Sequence, residues 1–360
     1  MTKLATILFG AIAAIISASP APAAGLAKGT PDLRSAGPLA FGPDGVLFVG
    51  DTAGAALFAI DTGDRGPVSK GTLKLDSVNR RIAEALGTAP DQVLINDLAI
   101  NPASGKAYLS VSRGKGPDAA PVIVRVDGSG KVEPMALEDV PFAKAPLSDA
   151  PAAAAGPRNP RAEAITDLAY VDGRVFVAGL SNEEFSSRLL AIPYPFAEPG
   201  KGTSVEIFHG AHGKFETKSP VRTFAAYQIK GEPYLMAAYT CTPLVKLPVA
   251  ALKPGTHYKG TTVAELGNMN KPLDMVVYRK DGKDYILLAN SARGVMKIRA
   301  EGIDEAPGIT SRVKDKQGQS YETIVELKGV VQLDALDGEH AVVLIQGSGG
   351  ALNLETIDLP

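Results

Sequence analysis

The feature that most constrains this chain is that it repeats itself. Six times, an apolar run turns at a cluster of Gly, Asp or Asn, continues as a second apolar run, and is followed by a third. The units are "GPLAFGPDGVLFVGDTAGAALFAID", "NDLAINPASGKAYLSVSRG" with "PVIVRVD", "TDLAYVDGRVFVAGLSNEEFSSRLLAIP", "RTFAAYQIKGEPYLMAAYTCTPLVKLP", "LDMVVYRKDGKDYILLANSARGVMKIR" and "QLDALDGEHAVVLIQGSGGALNLETID". They open near Pro38, Asp97, Asp167, Phe224, Asp274 and Leu333, a period of roughly 50 to 70 residues. Between most of them lies one more strand-like run: "GTLKLD", "VEPMAL", "SVEIFH", "TTVAEL" and "YETIVEL". Four short strands per unit, six units in series, predict an all-β fold, a six-bladed β-propeller. A pair of sandwiches does not repeat internally at a fixed period. Seven blades is the alternative, because residues 76–95 and 134–163 have room for further strands. The closing strand, in "ALNLETIDLP", is expected beside the residues that follow residue 24, since an unclosed ring would expose two unpaired edges.

Two segments interrupt the repeat. "SVNRRIAEALGTAPDQ" carries Val78, Ile82, Ala85 and Leu86 at helical spacing, which predicts a helical insertion near 76–92. The stretch near 143–162 is rich in Pro and Ala and poor in large apolar residues, and reads as an irregular loop, the least ordered part of the chain.

The first 24 residues run from a basic start, "MTK", through "LATILFGAIAAII" to the small-residue stretch "SASPAPAAG". This is the order of a signal peptide. Residues 25–360 then form a single propeller domain in the periplasm or outside the cell. No other run reaches the roughly 18 apolar residues of a membrane span. The net charge of −2 gives no electrostatic case for nucleic acid or an anionic membrane. A single cysteine excludes an internal disulfide framework. The expected state is a monomer.

The strand-turn-strand cores "VLFVGDTAGAALFAID" and "ILLANSARGVMKI" resemble those of YVTN-type, NHL-type and gluconolactonase-type secreted propellers. The likeness covers nearly all of the chain after residue 24, and it implies architecture rather than activity. "INDLA", from Ile95 to Ala99, resembles one blade of the gluconolactonases, which hold a metal with acidic and amide ligands around the central channel. The matching glutamate and second amide are not in register elsewhere, so that activity is not carried over.

In a propeller, the loop entering the innermost strand of each blade and the loop between its second and third strands open on one face. By that rule Asp51, Arg113, Asn182, Cys241, Asn290, Arg293 and Gln346 come from the second set. Asn96, Asp97, Glu163, Asp167, Arg222, Lys271, Asp274 and Asp334 come from the first. Of these, Asp51, Asn96, Arg113, Asn182, Arg222, Asn290, Arg293 and Gln346 are the expected binding residues of the channel mouth. Asp97, Asp167 and Asp274 have a structural reading, as carboxylates that tie neighbouring blades through backbone bonds. His209 and His212, in the loop before the fourth unit, Cys241 within it and Met269 before the fifth are assigned to the same face. Two imidazoles, a thiolate and a thioether suit copper, and zinc less well. Against this, His-x-x-His in a Gly-rich loop lacks helical or hairpin spacing, and a lone cysteine also serves as a small packed residue.

The chain holds no Gly-x-Ser-x-Gly elbow, Walker loop, Cys-x-x-Cys-His or His-Glu-x-x-His. Three readings stand: a propeller that binds a small molecule or a periplasmic protein at its mouth; a copper protein using His209, His212 and Cys241, with Met269; and a lactonase-type hydrolase that would use calcium near Asn96.

Overall fold

The computed structural model describes residues 25–66, 72–156, 159–241 and 243–360; the stretch read as a signal peptide lies outside them. Six antiparallel sheets form a ring. Numbered by their innermost strands, blade 1 holds Leu39–Phe41, Val46–Asp51 and Ala56–Asp61, with Val140–Pro146 and Ala27–Gly29 at its outer edge. Blade 2 is Val93–Ile100, Ala107–Arg113, Ala120–Val126 and Val132–Pro134. Blade 3 is Asp167–Val171, Arg174–Leu180, Ser187–Pro193 and Thr203–His209, edged by Lys214–Glu216. Blade 4 is Thr223–Ile229, Glu232–Ala238, Pro243–Pro248 and Thr261–Leu266, edged by Lys316–Gly318. Blade 5 is Pro272–Lys280, Lys283–Asn290, Gly294–Arg299 and Tyr321–Ile324, and blade 6 is Val330–Ala335, His340–Gln346 and Leu352–Asp358 with Lys74–Leu75.

The blades do not follow one another around the ring in chain order. Innermost strands are neighbours in the order 1-3-4-5-6-2, so blade 2 stands between blade 1 and blade 6. After three strands of blade 1 the chain crosses to the outer edge of blade 6, where Leu75 pairs with Leu354. It then builds blade 2 and returns to blade 1, where Phe142 pairs with Ile60. This corrects two expectations. The ring is closed by Lys74–Leu75 and the inserted blade 2, while the strand after residue 24 pairs inside blade 1, Ala27 against Phe142. The stretch 143–162 is not loop throughout: its first residues belong to Val140–Pro146, and it ends in a 3₁₀ turn at Pro160–Glu163. Neither linker holds a seventh sheet among the described residues. One supplies the helix Val78–Leu86 and the other an outer strand of blade 1.

The strands are apolar on both faces because both faces are covered. In Val46–Asp51, Val46 and Phe48 pack toward blade 3, while Leu47 and Val49 pack toward blade 2. Six such apolar clusters fill the six seams between blades. The helix buries Val78, Ile82 and Ala83 in the seam between blades 2 and 6. It stops at Gly87, whose φ of 63° lets its N–H turn back to the carbonyls of Ala83 and Glu84. No helix among the described residues is long and apolar enough to cross a membrane.

The closure makes a mechanical prediction. Leu75, 6% exposed, joins residues of blades 2 and 6 in one cluster. Leu75→Ala is expected to lower the unfolding free energy by about 2–5 kcal/mol, read by urea denaturation. A cost under about 0.5 kcal/mol would mean the seam closes without this crossing.

Candidate functional site

Four carboxylates surround the axis, and each is tied into the backbone of a neighbouring blade. Asp167 accepts from the N–H of Phe224 at 2.7 Å, Asp274 from Leu333 at 2.8 Å, Asp334 from Ile100 at 2.7 Å and Asp97 from Leu39 at 2.7 Å. The ties run 3 to 4, 5 to 6, 6 to 2 and 2 to 1, all in one sense around the ring. The second oxygen of three of them accepts the N–H of the following residue: Leu168, Met275 and Ala335. The structural reading of the sequence therefore holds for Asp97, Asp167 and Asp274, and Asp334 joins them. With its amide nitrogen turned toward the carboxylates, Gln332 spans the axis, donating to Asp274 at 2.8 Å and Asp97 at 2.9 Å.

These side chains see only the channel lumen, so their charge is poorly solvated. Burial, with Phe224 and Leu168 N–H bonds pulling the other way, raises Asp167 to about 7. Burial raises Asp334 to about 6. Burial and the neighbouring carboxylates push Asp97 and Asp274 well above the ordinary range.

Beyond Gln332 the six entering loops enclose a cavity of about 600 Å³. Every blade contributes: Ser35–Pro38, Asn96, Ile165 with Thr166, Arg222, Lys271–Leu273 and Gln332. Arg161, Asn159 and Glu163, from the 3₁₀ turn before blade 3, complete the wall. Three cations face it against one carboxylate. Arg222 is paired with Glu163 and reaches Thr240 Oγ1 at 3.2 Å. Arg161 is held by uncharged carbonyls, Pro151 at 2.6 Å and Ala53 at 3.3 Å. Lys271 is exposed and has no ion-pair partner among the described residues.

Of the residues expected at the mouth, Asn96 and Arg222 line this cavity, and Asn96 donates its amide to Ala36 O at 2.8 Å and Ser112 Oγ at 2.9 Å. The other six do not line it. Asp51 is buried and accepts from Arg34 N, Ser35 N and Gly54 N, which pins the arm leading into blade 1. Asn290 is buried and closes its own turn through Ala292 N and Arg293 N. Arg293 holds the 267–270 loop through Asn268 O at 2.7 Å. Arg113, Asn182 and Gln346 are exposed outside the cavity. A second-to-third-strand loop sits one strand farther from the axis than the loop entering the innermost strand, and of these loops the one in blade 1 reaches the cavity, through Thr52 and Ala53. Arg161 and Gln332 were missed. Arg161 lies in a stretch read as featureless, and Gln332 is the residue just before a recognised opening strand.

The four proposed metal ligands divide. His209 and His212 meet, with ring centroids 3.9 Å apart, and both contact Glu216, giving a group whose ligand atoms lie within 4.8 Å of one another. Cys241 and Met269 are not in that group. Cys241 donates its N–H to Asn270 O at 2.8 Å, and Met269, 89% exposed, stands on that same loop at the rim of blades 4 and 5. The expectation that the His-x-x-His pair lacks hairpin spacing is also corrected: it spans the turn of the hairpin at the edge of blade 3.

No family model matches the sequence, and no curated protein does. Among solved structures, a glucose-dehydrogenase-type oxidoreductase of Thermus thermophilus aligns over 92% of this chain and 99% of its own, at 14% identity and a TM-score of 0.38. The PQQ-bound aldose sugar dehydrogenase of Streptomyces coelicolor aligns over 94% and 99%, at 14% identity and 0.35. Drosophila Semaphorin 1b aligns over 93% and 87%, at 11% identity and 0.41. The likeness is one of architecture.

The raised carboxylates set a pH dependence. In the fold they keep their protons up to about pH 6 for Asp334 and about pH 7 for Asp167, whereas the unfolded chain loses them near 3.8. Their contribution to stability is full below about pH 4 and is lost as pH rises through 6 to 7. The unfolding free energy is therefore expected to fall between about pH 4 and pH 7 in urea titrations, with a shallower slope in Asp334→Asn. A slope that is flat, or that rises with pH, would mean the axial carboxylates are ionised in the fold.

Proposed function

We propose that this chain is an exported six-bladed propeller that binds a small anionic, hydroxylated molecule at the channel mouth. One observation carries the reading: a cavity of about 600 Å³ to which all six blades contribute and in which Arg161, Arg222 and Lys271 face a single carboxylate, Glu163. The volume is in the usual range for a small-molecule site. Arg161 and Lys271 keep uncompensated charge for a carboxylate or phosphate group. The Asn96 side-chain carbonyl oxygen and the Ser112 hydroxyl, whose proton is not used in accepting from Asn96, supply polar partners for the rest of such a ligand. The export half rests on the basic, apolar and small-residue order of residues 1–24.

The lactonase-type alternative draws no support from the site, because among the described residues no group of three carboxylate, imidazole or thiolate ligands forms beside Asn96, and Asp97 is tied to the backbone of Leu39. The copper alternative loses its thiolate, because Cys241 stands apart from the two imidazoles.

Calorimetry with citrate, glucose 6-phosphate and glucose tests the binding half. At least one of the two anions is expected to bind, and glucose to bind more weakly. Lys271→Ala should weaken the anion about 10- to 100-fold, the scale of one charge-assisted contact of about 1.5–3 kcal/mol. Equal affinity for glucose, or affinity unchanged in both Lys271→Ala and Arg161→Ala, would overturn the reading. For export, the mass of the native protein should correspond to a chain starting near Gly25, and an intact Met1 would overturn it.

A further inference from the structure

The His209–Glu216 hairpin lies away from the mouth cavity and plays no part in the binding proposed there. Its geometry is fixed by strand pairing. Thr203–His209 and Lys214–Glu216 are antiparallel, with Ile207 opposite Glu216 and His209 opposite Lys214. Side chains alternate along a strand, so Glu216 falls on the face of Ile207 and His209, diagonal to the histidine. The turn His209–Gly213 is drawn tight by His209 O, which accepts from His212 N at 3.1 Å and Gly213 N at 2.8 Å. This brings the second imidazole over the first. Two glycines make the turn possible. A Cβ at Gly210 would come within 2.9 Å of Glu265 and Val313, and Gly213 has a φ of 67°.

The result is three donor groups turned toward one point. His209 Nδ1 lies 3.0 Å and His212 Nδ1 2.6 Å from the two oxygens of the Glu216 carboxylate. Ser219 Oγ donates to the same carboxylate at 2.8 Å and so holds it in place. His209 is 3% exposed, and its one ring hydrogen bond is made through Nδ1, the nitrogen that faces Glu216. Beside it, Glu265 is fully buried and uses one oxygen for Gly210 N at 2.5 Å, while the other has no partner. His212 is half exposed, which leaves the group open to solvent on one side.

We propose that His209, His212 and Glu216 form a binding site for a divalent transition-metal cation of the zinc class at the outer edge of blade 3. In a tetrahedral zinc site with bonds of about 2.0–2.2 Å, neighbouring ligand atoms are about 3.3–3.5 Å apart. The two N–O separations here are those of hydrogen bonds, and widening each by less than about 1 Å puts a cation where the bridging protons stand. Two imidazoles and a carboxylate, with no thiolate, select a borderline divalent ion. Three protein ligands leave the fourth position to solvent, on the side of His212. A cation there would clamp the edge hairpin to its turn, next to the seam with blade 4 where Glu265 receives Gly210.

The test uses the full chain, stripped with a chelator and titrated with Zn²⁺. One ion per chain is expected by calorimetry, together with a rise in the thermal midpoint as zinc is added. His212→Ala and Glu216→Gln should each weaken zinc at least about 10- to 100-fold. His212 is half exposed, so its removal should leave the far-ultraviolet circular dichroism unchanged, which separates loss of the site from loss of the fold. Cys241→Ser should bind zinc as the parent does, and Co²⁺ should give d–d absorption without a thiolate charge-transfer band. No stoichiometric zinc in the parent chain, binding that survives both site variants, or binding that is lost with Cys241 would each overturn the proposal.

Discussion

Every blade of this molecule is apolar on both faces, and the rest of the structure depends on covering them. A lone four-stranded sheet of this composition would leave two hydrophobic faces in water, so the sheets are stable only as neighbours, and the series ends without an open face only when it closes. The chain closes it twice over. Residues 74–75 edge the last sheet, and residues 93–134 fill the place between the last sheet and the first. The helix Val78–Leu86 packs into the same seam. The closure is thus carried by a crossing early in the chain, and the carboxyl-terminal strand Leu352–Asp358 is the partner that receives it.

The axis is where the closed ring converges, and the chemistry there follows from that convergence. The innermost strands of neighbouring blades lie side by side, and aspartate is short enough to reach the next blade's backbone. Four of them do so in the same rotational sense. The geometry that satisfies the backbone also brings four carboxylates into one poorly solvated lumen, which is why their protons are held so strongly. Gln332 bridges two of them and separates this acidic throat from the cavity above it. That cavity has the opposite character, with Arg161, Arg222 and Lys271 supplied by loops that are free of the seams. Acidic axis and basic mouth are two outcomes of one arrangement.

Much of the fold was legible from the chain. Apolar runs of strand length, broken by Gly and Asp and repeated six times, have few other ways to be buried. The helix was visible from Val78, Ile82 and Leu86, and the tying role of Asp97, Asp167 and Asp274 from their place at the head of each innermost strand. The site was legible only in part. Asn96, at the bulge of its innermost strand, and Arg222, just before its own, lie at the entry to the axis and were found, while Asp51, Asn290 and Arg293 are polar residues at strand ends that serve their own turns. Polarity at a turn reports a need for hydrogen bonds, and it does not say whether the backbone or a ligand meets that need.

The sequence by itself determined the architecture, because strand length, alternation and repeat are local properties written residue by residue. The order of the blades and the membership of the sites were decided by tertiary structure. Nothing local in residues 72–146 says that this stretch passes over the place beside blade 1 to reach blade 6 and then fills that place on its return, since that path is chosen by which apolar faces complete one another at a distance. For the same reason Cys241 and Met269 came to rest on one rim and His209 and His212 on another. Glu216, which carries no mark of a ligand in the sequence, was brought to the histidines by the pairing of Ile207 with Glu216 across a hairpin.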